Sequence, residues 1–141
     1  MEYPNLLPRF LKYVKVNSRS DEHSDRFPST EREENFQKNV IMKDLEELGL
    51  SDIHYNQNAG SVIAELPSNV DYDVPVMGFL AHSDTADFNS ENVKPQIHEN
   101  YDGESKIQLG DSEFYLDPKV FPHLKNYKGQ TIITASGDTL L

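Results

Sequence analysis

In the stretch "VMGFLAHSDTADF", residues 76–88, an apolar run leads straight into His82, and Asp84 follows two positions on. Side chains two apart in an extended chain face the same way, so His82 and Asp84 share a face while Ala81 and Ser83 share the other. That spacing has a chemical use. A metal-bound imidazole commonly donates its second ring N–H to a carboxylate, which fixes the tautomer and strengthens the ligand. His82 is therefore a candidate metal ligand, and Asp84 the acidic residue that would orient it. Taken alone, His-X-Asp describes equally well a surface histidine with an ordinary hydrogen bond. The chain has no cysteine, so any metal would be held by nitrogen and oxygen ligands.

Several elements must place this pair. The run "VPVMGFLA" just before His82 is apolar at nearly every position, as in a strand covered on both faces in the middle of an α/β sheet. A buried helix would look similar, but Pro75 and Gly78 disfavour it. His82 then lies where the run gives way to polar residues, at the carboxyl end of the strand, where open α/β sheets bind ligands. Upstream, Leu6, Leu7, Phe10, Leu11 and Val14 predict a short helix with one buried stripe, ending near Asn17. The segment "SRSDEHSDRFPST" lacks periodicity and reads as an exposed loop up to Pro28.

Thr30 and Glu33 fit a capping box, and Phe36, Val40, Ile41, Leu45 and Leu48 form the stripe of a second helix that Gly49 terminates. In "DIHYNQNAGSVIAELPS" two short strand-like runs flank Asn58-Ala59-Gly60, which predicts a hairpin. From Asn89 to Lys128, "KIQLG" and "SEFYL" read as further hairpins, and "GQTIITASGDTLL" begins one more β-rich strand. No repeat, low-complexity tract or linker divides the chain. The expectation is an α/β fold, with a mixed sheet and two N-terminal helices.

Composition narrows the function. With 24 Asp+Glu against 13 Lys+Arg, the net charge of -11 works against nucleic acid and against anionic membranes. The start of the chain lacks the features of a secretory signal, and no stretch approaches bilayer-spanning length, so a cytoplasmic protein is expected. His23, His54, His98 and His123 have no carboxylate at ligand spacing and are read as structural or solvated. The acidic cluster Glu31, Glu33 and Glu34 favours the positive end of its own helix. Tyr101-Asp102-Gly103 reads as a turn.

Six segments, "RFLKYVKVNSRSD", "FPST", "SVIAELPSN", "GFLAHSDT", "NVKPQIHENYDG" and "GQTIITASGDTLL", occur in the order found in a known group. They make nearly the whole chain resemble the tripeptide aminopeptidases of the zinc-dependent family that also contains aminoacylase and the glutamate carboxypeptidases. The resemblance implies that His82 is the first zinc ligand and that Asp84 is the supporting acidic residue of the catalytic apparatus. It implies two zinc ions and a tripeptide substrate in the complete enzyme, which would act as a homodimer. It further implies that residues 1–141 are the N-terminal portion of a metallopeptidase catalytic domain, ending before the bridging aspartate, with the general-base glutamate, the other ligands and the lid domain beyond Leu141. Such a piece alone would be inactive. Ser136 stands where the family commonly has Asp, and Asp138 where it often has a neutral or basic residue, but neither is a family ligand. Two alternatives stay open: a non-catalytic acidic α/β module that binds peptide or protein, and a dipeptidase or deacylase of the same zinc family.

Overall fold

The computed structural model describes residues 3–141; Met1 and Glu2, part of the start read above for a leader, lie outside the described residues. The chain falls into two compact units, one made of residues 18–87 and the other of residues 3–17 and 88–141. Neither boundary carries a Gly- or Pro-rich linker, which is why composition does not mark them.

In the unit of residues 18–87, helix α2 (Glu31–Phe36) starts on the expected capping box. Thr30 Oγ1 accepts the Glu33 N–H at 3.3 Å, and the Glu33 carboxylate accepts the Thr30 N–H at 2.5 Å. A π-helical turn, Gln37–Ile41, follows without a break, and α3 (Met42–Glu47) completes the helical run. The expected second helix is therefore two α-helices joined by a wider turn. Its end matches the sequence: Gly49 has φ +82°, and the N–H groups of Gly49 and Leu50 donate to the carbonyls of Glu46 and Leu45, closing the last turn.

The predicted hairpin is present as β1 (Ser51–Asn56) and β2 (Ser61–Glu65), antiparallel, with Tyr55 opposite Val62 and an irregularity between Ser51 and His54. Asn56 Oδ1 accepts the N–H groups of Asn58 and Ala59 and shapes the turn. Gln37, on the π turn, binds the hairpin directly. Its Nε2 donates to the Gly60 carbonyl and its Oε1 accepts the Val62 N–H, both at 2.9 Å.

The other unit holds α1 (Leu6–Tyr13), β3 (Gln96–His98) paired with β6 (Ile132–Thr134), and β4 (Ile107–Gln108) paired with β5 (Tyr115–Leu116). Tyr101, Ile107 and Leu124 form its buried cluster, with Leu116 and Ile132 against it. Leu124 comes from a 3-10 helix, Pro122–Tyr127. Helix α1 ends at Tyr13 rather than near Asn17 and buries no residue fully, since Leu6 and Phe10 of the expected stripe are exposed.

Two expectations are corrected. The fold is α/β, but its strands form three separate two-stranded antiparallel sheets in place of one mixed sheet, and the only parallel pairing among the described residues is an isolated bridge between Arg19 and Thr85. The run "VPVMGFLA" forms no strand: no residue from 73 to 84 pairs in a ladder, and Val76, Met77, Phe79 and Leu80 are exposed, Phe79 at 91%. An apolar pattern specifies a buried strand only when neighbours supply the ladder and the covering faces. None of the described residues does so here.

Candidate functional site

His82 and Asp84 meet as their spacing requires. The Nδ1 of His82 lies 3.2 Å from Oδ1 of Asp84, with the His82 side chain 84% exposed and that of Asp84 37% exposed. A carboxylate accepts only, so this hydrogen bond places the imidazole proton on Nδ1 and leaves the Nε2 lone pair free to bind a cation. The backbone that carries them is extended but unladdered up to Asp84. Immediately afterwards it is fastened.

Thr85 donates its N–H to the Ser18 carbonyl at 3.2 Å and accepts the Ser20 N–H at 3.0 Å and the Ser20 hydroxyl at 2.9 Å. Arg19 Nε donates to Asp87 Oδ1 at 2.6 Å, and Arg19 Nη2 also contacts this oxygen. Arg19 is tied back in turn, its carbonyl accepting the Thr30 hydroxyl at 3.0 Å. Residues 18–20 are thus not part of a free loop as expected, and Ser18 is buried. Sequence reasoning missed Arg19, Ser20, Thr85 and Asp87 because a single bridge between segments 65 residues apart leaves no periodicity. A basic residue amid serines was the one local hint.

No group of three or more His, Asp or Glu among the described residues is arranged to hold a metal ion. The donor set present is one imidazole nitrogen with its supporting carboxylate, whereas a closed zinc site takes at least three protein ligands. These residues fit one corner of such a site and do not make a whole one.

The other histidines have ordinary surroundings. His23 is exposed beside Glu22, and His54 Nδ1 lies 2.9 Å from the Asp52 carbonyl. His98 Nε2 lies 3.1 Å from Thr134 Oγ1 across β3 and β6. His123, on the 3-10 helix, packs edge-on between Phe121 and Tyr127. In the acidic cluster, Glu33 serves the helix cap, while Glu34 binds Lys38 Nζ at 2.6 Å and also Arg26. The Lys38 hydrogen bond, with that of Arg26, draws the Glu34 carboxyl below its ordinary pKa. Asp102 shapes the predicted turn by accepting from the Ser105 hydroxyl and from the N–H groups of Ser105 and Glu104, which hold its pKa down at about 2. No helix among the described residues is long and apolar enough to cross a membrane.

Comparison with known proteins gives a consistent set of relatives. The chain is 94% identical over its whole length to a protein named peptidase T of Lactobacillus helveticus. It is 58% identical over 99% of its length to the peptidase T of Enterococcus faecalis, and 55% identical over 99% to that of Latilactobacillus sakei. In each case it spans only 34% of the relative. No protein-family model matches the chain.

Proposed function

We propose that this chain is the N-terminal part of the catalytic domain of a peptidase T, a zinc-dependent aminopeptidase that releases the first residue of tripeptides. The observation that carries the reading is the 94% identity, across the entire chain, to a protein of that name. The His82–Asp84 hydrogen bond supports it, because it leaves a cation-binding nitrogen facing solvent in the one motif whose spacing suits a ligand and its support.

In this reading His82 holds one zinc through Nε2 and Asp84 fixes the ring. The remaining ligands, the general base, the lid domain and the surface that makes the parent a homodimer belong to the two thirds of the relatives that the chain does not span. When bound, the metal would supply polarisation of the scissile carbonyl and a water of lowered pKa. The contribution of this chain is orientation: Asp84 keeps the Nδ1 tautomer, and the bridge at Thr85 keeps Asp84 in place. The net charge of -11 and the absence of a spanning helix among the described residues are consistent with a cytoplasmic enzyme acting on small peptides.

The test is a chain extended with the rest of the Lactobacillus helveticus relative, loaded with zinc and assayed on tripeptides, dipeptides and acylated amino acids. Preference for tripeptides, lost in His82→Ala, is the expected result. Preference for dipeptides or acylated amino acids would move the protein to another activity of the same chemistry, and hydrolysis of none would remove the enzymatic reading.

A further inference from the structure

We propose that Arg19 and Asp87 form a clasp that positions the His82–Asp84 pair, acting through the backbone of Thr85; this deepens the aminopeptidase reading and rests on it. Residues 73–84 have no ladder partner, so the pair is unsupported on its N-terminal side. Its support comes wholly from the other side, where Thr85 bridges Ser18 and Ser20 by two backbone hydrogen bonds. A lone bridge of this kind fixes position but is weakly specified in register, since no neighbouring rung opposes a slip. A slip of one residue would carry Asp84 about 3.3 Å along the chain and reverse the face on which its carboxylate stands.

The Arg19–Asp87 pair opposes that slip. Arg19 is the central residue of the Ser18–Ser20 segment, and Asp87 stands two residues beyond Thr85, on the same side of the extended chain. Their ion pair can form only in the register in which Thr85 sits opposite Arg19. The clasp is itself held from behind. The Arg19 carbonyl accepts the Thr30 hydroxyl, and Glu33, which accepts from Thr30 and from the Ser29 hydroxyl, fixes Thr30 at the start of α2. The line Glu33, Thr30, Arg19, Asp87 thus connects a rigid helix start to the segment that carries the candidate ligand. Arg19 and Asp87 do not touch a substrate in this scheme; they are positioning residues.

The experiment compares the native chain with Arg19→Gln, Asp87→Asn, Arg19→Lys and the charge-swapped double variant Arg19→Asp/Asp87→Arg. In the 141-residue chain the readout is hydrogen exchange at the Thr85 and Ser20 amides, with the Val62 amide of the hairpin as internal control. In the extended chain it is kcat and KM for a tripeptide, with His82→Ala alongside. The expected result for Arg19→Gln and Asp87→Asn is about tenfold less protection at Thr85 with Val62 unchanged, and kcat down about tenfold with KM within about twofold. Arg19→Lys and the swap should recover most of both. Unchanged Thr85 protection and kcat in both single variants would overturn the clasp, as would a loss that Val62 shares and the swap fails to restore. If His82→Ala stays active, the aminopeptidase reading falls by itself, and Thr85 exchange alone then shows whether the register clasp exists.

Discussion

Val62 donates its backbone N–H to Oε1 of Gln37, so a helical side chain, rather than a third strand, meets the open edge at the start of β2. The same amide reaches the Gly60 carbonyl with its other end. Gln37→Ala would strand both backbone groups in a part-buried place, which costs about 1–3 kcal/mol. Hydrogen exchange across β1 and β2 should quicken accordingly. Exchange rates equal to those of the native chain would mean that water replaces the amide at no cost.

A second expectation concerns the candidate ligand. In the zinc-loaded extended chain, His82→Ala should remove most tripeptide hydrolysis, and Asp84→Ala should cost about 10–100-fold, the usual effect of losing a ligand's hydrogen-bond partner. Near-normal turnover by His82→Ala would refute its role. For the 141-residue chain, titration with zinc alone should give weak binding, because one imidazole is offered where three protein ligands are the norm. Tight stoichiometric uptake would contradict this.

Acid should probe the turn at Asp102. Its folded pKa, about 2, lies below the value near 4 of an unfolded aspartate, because the Ser105 hydroxyl and the N–H groups of Ser105 and Glu104 favour the charged form. A depressed carboxylate contributes its stability above the unfolded pKa, and that contribution is lost as pH falls through the folded one. Asp102→Asn should therefore flatten the dependence of unfolding on pH between about 4 and about 2. A carboxyl titration by NMR centred near 4 for Asp102 would show that the turn does not bind the anion.

The exposed run 74–81 makes a fourth prediction. Contiguous apolar surface of this kind drives association, and an unpaired extended segment offers backbone groups as well. Sedimentation should reveal association that grows with concentration, and Phe79→Lys with Leu80→Lys should suppress it. A single monomeric species at all concentrations in the native chain would count against it.

Local signals were legible in the sequence, and long-range ones were not. The Thr30–Glu33 cap, the Gly49 stop and the hairpin around Asn58-Ala59-Gly60 all follow from chemistry within a few residues, and each is where its pattern predicts. The His82–Asp84 hydrogen bond belongs to the same class, being set by extended-chain periodicity. By contrast, the Arg19–Thr85 bridge joins distant segments through backbone groups, which residue types do not encode. The run 74–81 misled for a related reason: its composition states that it should be covered, and coverage is a property of neighbours.

The π turn at Gln37–Ile41, closed by the Met42 N–H donating to the Gln37 carbonyl five residues back, has a consequence for how tolerant the gene is to length changes. Removing one codon there would let the coil rewind to the tighter α form and rotate everything after it by about 100°. Asp44, now buried, and the side of α3 that packs on β1 would swing out of place. In this stretch spelling length matters as much as spelling letters: a deletion should do harm that no single substitution of Lys38 or Asn39, both exposed, could match.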